Sequence, residues 1–135
     1  MVKHDTINTM RKEPQRTRLQ KYIDAEYGIA PEHLWAKYPT FAVFRHPNSR
    51  KWFGLMMDVA RRHLAIAGDG DIDVVNLHVP IDVVATILPD GAFMPGYHMN
   101  KASWVTIPLD DRLTDAQIIP LIDASFNSVT PKRKK

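Results

Sequence analysis

Large apolar side chains recur at every second position between Lys51 and Val59, and this pattern constrains the fold more than any other part of the chain. A period of two is typical of a strand, whose successive side chains point to opposite faces. Phe41 to His46 predicts a strand before it, and the polar segment Pro47 to Arg50 suits a hairpin turn. The sequence therefore predicts an antiparallel hairpin whose core-facing residues are Phe53, Leu55, Met57 and Val59.

Two predicted helical segments precede the hairpin. Apolar residues at helical spacing predict a helix from Gln15 to Tyr27, with Gly28 as its stop signal. Proline at a first helical position predicts a short helical turn from Pro31 to Trp35. The dipeptide Tyr38-Pro39 then breaks that turn, since the residue before proline disfavours helix.

The segments after the hairpin add two strands and two helices. Ile72 to Val79 is rich in β-branched residues and predicts a third strand, followed by a short helix from Pro80 to about Leu88. Ser103 to Leu109 predicts a fourth strand, and Thr114 with Gln117 forms a capping-box pattern before a last apolar helix. The order contains no repeated βαβ unit. It therefore favours an α+β fold in which helices pack on an antiparallel sheet.

The chain of 135 residues is the size of one domain with one core. Residues 1–14 have no periodicity and are expected to form a flexible leader. Residues 15–129 are expected to form the single domain, and residues 130–135 a basic tail.

The absence of cysteine narrows the chemistry. Zero cysteines exclude disulfides, thiolate nucleophiles, iron–sulfur clusters and cysteine-ligated zinc. No apolar run reaches the ~20 residues needed to span a bilayer, and the N-terminus lacks a signal-peptide core. We expect a cytoplasmic protein that contacts no membrane.

Charge is distributed unevenly along the chain. The net charge is +6 over residues 1–62, −7 over residues 63–130 and +4 over residues 131–135. An all-round basic surface is therefore excluded, and any nucleic-acid contact must come from the first half, the tail or a local patch.

The loop from Met94 to Trp104 concentrates side chains suited to recognition. A Pro-Gly turn signal is followed by a phenol, an imidazole, a carboxamide and an ammonium, and the loop ends on an indole. Such groups can bind phosphates, bases or a polar ligand. The predicted polar pocket comprises Tyr97, His98, Asn100, Lys101 and Trp104.

Three segments together resemble the MmcQ/YjbR family of small bacterial proteins. They are Pro31-Glu-His-Leu-Trp35 with Tyr38-Pro39, Val43-Phe-Arg-His46 followed by Lys51-Trp-Phe53, and Pro95-Gly-Tyr-His-Met-Asn-Lys101 with Trp104. The resemblance covers Gln15 to Val129. It implies a two-layer α+β fold with an antiparallel sheet, of the YjbR-like and secretion-chaperone-like kind. It also implies DNA binding through a double-wing arrangement of strands and loops, and it brings no catalytic residues.

The basic hairpin is the predicted nucleic-acid surface. Its cations can follow phosphates while an indole stacks on a base. The predicted contact residues are Arg45, Arg50, Lys51, Trp52, Arg61 and Arg62. The structural alternative is a solvated hairpin whose charges keep a sheet edge from aggregating.

The loop residues also have two interpretations. His98, Asn100 and Lys101 could hold a phosphate or another small anion. Alternatively, Tyr97, Met99 and Trp104 belong to the core, and Asn100 satisfies the backbone of a tight turn.

Other chemistry finds little support. Asp69, Asp71 and Asp73 match the start of a calcium loop, but Val74 and Pro80 stand where glycine and a bidentate glutamate are needed. No zinc, cofactor or catalytic motif is found, so no metal, cofactor or enzymatic activity is expected. The leading prediction is a non-catalytic protein that binds DNA weakly. The alternatives are a protein-interaction module and a small-anion site at Tyr97 to Lys101.

Overall fold

The computed structural model describes residues 13–132. Most of the predicted leader (residues 1–12) and the end of the predicted basic tail (residues 133–135) lie outside the described residues. Within the described part, no helix is long and apolar enough to cross a membrane.

Five strands, three α-helices and one 3-10 helix make up this part of the chain. In chain order they are α1 (Gln15–Tyr27), β1 (Ala42–Arg45), β2 (Trp52–Ala60), the 3-10 helix (Arg61–Leu64), β3 (Asp71–Leu77), α2 (Ile81–Val84), β4 (Met94–Pro95), β5 (Val105–Pro108) and α3 (Asp115–Ser128). The 3-10 helix and β4 were not predicted from the sequence, because four- and two-residue elements are too short to leave a periodic pattern.

The five strands form one antiparallel sheet in the order β1-β2-β3-β5-β4. This confirms the predicted α+β class. The capping box is also confirmed: the Gln117 N–H donates to Thr114 Oγ1 at 3.1 Å, and the Thr114 N–H donates to Gln117 Oε1 at 2.8 Å. Together these bonds satisfy donors at the start of α3 that no helical carbonyl can reach.

Both faces of the sheet are buried, so the prediction of a single core face on β2 was wrong. One face, here called the helix face, packs Met56 among the residues of α1 and α3. The other, here called the loop face, packs Leu55, Met57 and Val59 under connecting segments. Phe53 joins the helix face because the register changes from Phe44↔Gly54 to Arg45↔Trp52, which leaves Phe53 as an extra, bulged residue.

The segment Pro31 to Trp35 is not helical, contrary to the prediction. Glu32 forms an isolated antiparallel bridge with Val43, with backbone hydrogen bonds of 2.8 and 2.9 Å in the two directions. The outer edge of β1 offers unpaired backbone groups, and pairing with them outweighs a single turn of helix. Trp35 is thereby held over the loop face.

Helices α1 and α3 are joined by polar contacts as well as by the core. The hydroxyls of Tyr22 and Tyr27 both donate to Asp123 Oδ1 at 2.6 Å, and the ring of Tyr27 stacks on Phe126 at 4.0 Å. Burial and the Asp123 carboxylate raise the pKa of Tyr22 to about 12. The two helices therefore form a fixed layer on which the sheet rests.

Candidate functional site

A buried histidine, His46, organises the hairpin tip, which is the turn from Pro47 to Lys51. His46 is 2% exposed, and its Nδ1 accepts hydrogen bonds from the N–H groups of Asn48 (3.0 Å) and Ser49 (3.3 Å). The Arg50 N–H donates to the His46 carbonyl at 3.0 Å, and Arg50 has a left-handed φ of 64°. The buried imidazole accepts these hydrogen bonds from the inner side of the turn. Arg50 and Lys51 are exposed to solvent. His46 was not among the predicted site residues, and its position before Pro47 was the only signal.

The predicted site residues Arg45 and Trp52 meet at the base of this turn. The Arg45 Nε donates to both carboxylate oxygens of Glu32, at 3.0 and 3.1 Å. The Arg45 guanidinium also lies 5.8 Å from the centre of the Trp52 ring. Arg50 lies 3.9 Å from Glu32, but its side chain is 64% exposed. Arg45 is thus engaged inside the protein, whereas Arg50 and Lys51 are the cations at the tip.

Arg61 and Arg62 do not join the hairpin tip. They lie in the 3-10 helix that follows β2, at the opposite end of a nine-residue strand. At ~3.3 Å per residue, about 30 Å separates them from Lys51. Each lines a different cleft: Arg61 with Asp110 and Arg112, and Arg62 with residues of the Met94 to Trp104 loop. The six residues predicted as one surface are therefore divided between two ends of the sheet.

A buried polar network holds the Met94 to Trp104 loop on the loop face. Asn76 and Thr106 are fully buried neighbours on β3 and β5, and the Thr106 hydroxyl donates to Asn76 Oδ1. The Tyr97 N–H donates to Thr106 Oγ1 at 2.8 Å, and Asn76 Nδ2 donates to the Tyr97 carbonyl at 3.2 Å. No sequence pattern indicated this pair, since a single Asn or Thr within a strand carries no distinctive signal.

Asn100 and Lys101 are occupied by the loop's own backbone. Asn100 Oδ1 accepts from the Ala102 N–H at 2.9 Å, as in the structural alternative considered above. Lys101 Nζ donates to the Gly96 carbonyl at 3.2 Å. This geometry does not favour a small-anion site built from these two residues and His98.

Tyr97 and His98 point to the end of the sheet that carries the 3-10 helix. The Tyr97 hydroxyl lies 3.2 Å from His63 Nδ1, and the Tyr97 and His98 rings are 4.1 Å apart. Both line a cleft of about 340 Å³ with Tyr38, Phe41 and Asp58. His98 has a φ of 61°, a left-handed conformation uncommon outside glycine.

Trp104 lies at the other end of the sheet, beside the hairpin. A cleft of about 340 Å³, here called the tryptophan cleft, is lined by Lys51, Trp52, His78, Trp104, Ser128 and Val129. Strands β2 and β5 are both antiparallel to β3, so both begin at the end of the sheet where β3 ends. The hairpin turn before β2 and the loop before β5 therefore lie at the same end of the sheet. The structure thus unites one residue of the predicted polar pocket with two of the predicted nucleic-acid surface.

The C-terminal segment leaves the fold at this same place. Thr130 Oγ1 lies 3.1 Å from Nε2 of the hairpin residue His46, and Ser128 and Val129 line the tryptophan cleft. The predicted basic tail therefore begins next to the hairpin tip.

His78 forms part of the cleft wall. Its N–H donates to Ser125 Oγ at 2.8 Å, its Nδ1 lies 2.8 Å from Ser128 Oγ, and its ring meets Trp104 edge to face at 5.1 Å. Burial lowers the pKa of His78 below its ordinary 6.5, and the Lys51 ammonium lowers it further. Both effects favour the neutral form of the imidazole.

A pH dependence of stability follows from this lowered pKa. Below pH 6.5 the unfolded chain protonates His78 more readily than the folded chain does, so this residue's contribution to folding decreases with falling pH. We expect the free energy of unfolding of the wild type, minus that of His78→Gln, to decrease between pH 7 and pH 5. Urea unfolding at several pH values measures this difference, and the subtraction removes the other histidines. A constant difference would contradict the prediction.

The arrangement defines a class: a small α+β protein with one antiparallel sheet, helices on one face and connecting loops on the other. The sequence model of the YjbR family matches residues 25–128, more than three quarters of the chain. The chain belongs to the YjbR family, as the resemblance implied.

Relatives in two bacteria agree with this assignment. The chain is 36% identical over 112 residues to "Uncharacterized protein YyaQ" of Bacillus subtilis (strain 168), covering 83% of this chain and 95% of that protein. It is 43% identical over 44 residues to "Uncharacterized protein YjbR" of Escherichia coli (strain K12), covering 30% of this chain and 37% of that protein.

Two solved structures of a Pseudomonas syringae protein share the fold. The crystal structure has a TM-score of 0.79 and 36% identity, covering 85% of this chain and 98% of that one. The solution NMR structure has a TM-score of 0.77 and 34% identity, covering 89% and 96% respectively. The YjbR-like architecture predicted from the sequence is thereby confirmed.

Proposed function

We propose that the chain is a non-catalytic DNA-binding protein whose contact surface is the hairpin tip together with the tryptophan cleft. The observation that carries this proposal is the position of Lys51. Lys51 lines the cleft that also contains Trp52 and Trp104, and it follows Arg50, whose side chain is exposed. Cations that can contact phosphates thus lie beside rings that can contact bases, the combination used by proteins that bind nucleic acid with little sequence preference.

The surrounding charges support the same surface. The carboxylate of Glu32 is engaged through both of its oxygens by Arg45. It therefore leaves the positive charge of the exposed Arg50 and Lys51 at the tip. The basic tail adds Lys132, two residues after Thr130, whose hydroxyl lies against His46 of the hairpin. With few phosphates in reach of so small a surface, we expect affinity in the nonspecific range, a Kd of about 10⁻⁵ M at physiological salt.

Charge reversal at the tip tests the proposal. We expect Arg50→Glu/Lys51→Glu to weaken binding to a labelled duplex and to lower the slope of log Kd against log salt by about 2, since two phosphate contacts are lost. Fluorescence anisotropy at several salt concentrations measures both quantities. Circular dichroism verifies that each variant is folded.

The matched control is Arg61→Glu/Arg62→Glu, which changes the net charge equally at the opposite end of β2. We expect it to bind like the wild type. Equal losses in the two variants would mean that only overall charge matters, and unchanged binding in the tip variant would refute the proposed surface. A chain ending at Thr130 distinguishes the contribution of the tail from that of the tip. If the tip binds DNA by itself, this truncated chain still binds. If no DNA binding occurs at low salt, the proposal fails and a protein partner becomes the leading alternative.

A further inference from the structure

We propose that the tryptophan cleft binds an unpaired base, so that the chain prefers single-stranded DNA to duplex. The inference rests on the proposed function and deepens it, because it names the form of DNA that the same surface takes. It is carried by the placement of two indoles on one cleft, with a cation at its rim.

The two indoles come from distant segments and are separately braced. Trp52 meets Trp35 edge to face at 5.9 Å and lies under the Arg45 guanidinium at 5.8 Å. Trp104 meets His78 edge to face at 5.1 Å. Both remain partly exposed, and among the ring pairs of the described residues they do not contact each other. Two fixed rings on one cleft of about 340 Å³ leave room for a flat ligand.

The chemistry of the cleft suits a base attached to a phosphate. A ring face contributes stacking that any base can use, and Lys51 at the rim can neutralise the adjoining phosphate. Nε2 of His78 has no hydrogen-bond partner among the described residues and is available to a base edge. Because stacking predominates, we expect little preference among bases.

Duplex DNA cannot use this cleft without distortion. In a duplex the faces of each base are covered by its neighbours, and exposing one costs unstacking and unpairing. Single strands expose their bases at much lower cost. Phosphate contacts at Arg50 and Lys51 are open to both forms, so the preference for single strands must come from the indoles.

Three labelled probes separate stacking from charge: a single-stranded thymidine 12-mer, an abasic 12-mer with the same phosphates, and a 12-base-pair duplex. We expect the thymidine strand to bind at least about five-fold more tightly than the abasic strand, and to quench tryptophan fluorescence on binding. Trp104→Ala should remove that advantage, and Trp104→Phe should restore part of it. Tyr38→Ala, an exposed aromatic outside the cleft, should change nothing.

The outcomes distinguish this inference from the proposed function. If all three probes bind equally and Trp104→Ala has no effect, the cleft is not a base site, although DNA binding through the cations of the hairpin tip stands. If no probe binds, both fail. A loss in Trp104→Ala that is equal for the thymidine and abasic strands would indicate altered folding or altered charge contacts, and would also overturn the inference.

Discussion

Replacement of Gly96 by alanine is expected to destabilise the protein by about 3 kcal/mol, the upper end of the range for overpacking. A Cβ at this position would lie 2.7 Å from the Cβ of Trp104, 3.0 Å from the Trp104 carbonyl oxygen and 3.1 Å from the Cβ of Met99. None of these atoms is the end of a flexible side chain. The Gly96 N–H also donates to the Trp104 carbonyl at 3.0 Å, so the strain falls directly on the pairing that positions the loop.

Urea unfolding measures this effect, and Gly54→Ala is the matched control. Both glycines lack the positive φ that would penalise any side chain, and a Cβ on Gly54 would meet Phe44 no closer than 3.4 Å. We expect the control to change the free energy of unfolding by less than about 1 kcal/mol. Similar stabilities for the two variants would mean that the backbone around Trp104 yields readily, contrary to the close packing inferred here.

Asn76→Leu is expected to cost a similar amount, about 3 kcal/mol. Asn76 is fully buried, donates to the Tyr97 carbonyl and accepts from the Thr106 hydroxyl. Leucine fills a comparable space but leaves a buried acceptor and a buried donor unpaired, at about 1–3 kcal/mol each. We also expect faster hydrogen exchange at the Tyr97 amide, because the loop loses one of its anchors.

A double-mutant cycle with Thr106→Val tests whether the two residues act as one network. The combined variant should lose less stability than the sum of the single variants, because the bond between their side chains can be lost only once. Asn127→Leu, an exposed asparagine on α3, serves as the control and should stay within about 0.5 kcal/mol of the wild type. Strict additivity in the cycle would contradict the proposed network.

Local patterns predicted most of the fold correctly. The alternation in β2, the turn residues before it and the capping box at Thr114 each depend on neighbours within a few positions. Such signals act in the unfolded chain as well as in the folded one, so they can be recognised without knowledge of the tertiary structure. The family resemblance then supplied the architecture that joins these elements.

The errors arose where distant segments decide a local conformation. Pro31 to Trp35 has a helix-start pattern, but the free edge of β1 captures the backbone of Glu32. Phe53 changed face because of a bulge, and one inserted residue reverses the orientation of everything before it. No recognisable spacing of residues indicates the free edge of β1 or the bulge in β2.

The candidate site divides in the same way. The sequence by itself determined which side chains are available: the tip cations Arg50 and Lys51, the indoles Trp52 and Trp104, and the arginines Arg61 and Arg62. Only the tertiary structure decided which of them meet. The sheet order places the two indoles on one cleft although 52 positions separate them, while the length of β2 places Arg61 and Arg62 far from the tip. The reason is physical: strand register and order, set by the burial of both sheet faces, determine proximity between residues that no local pattern relates.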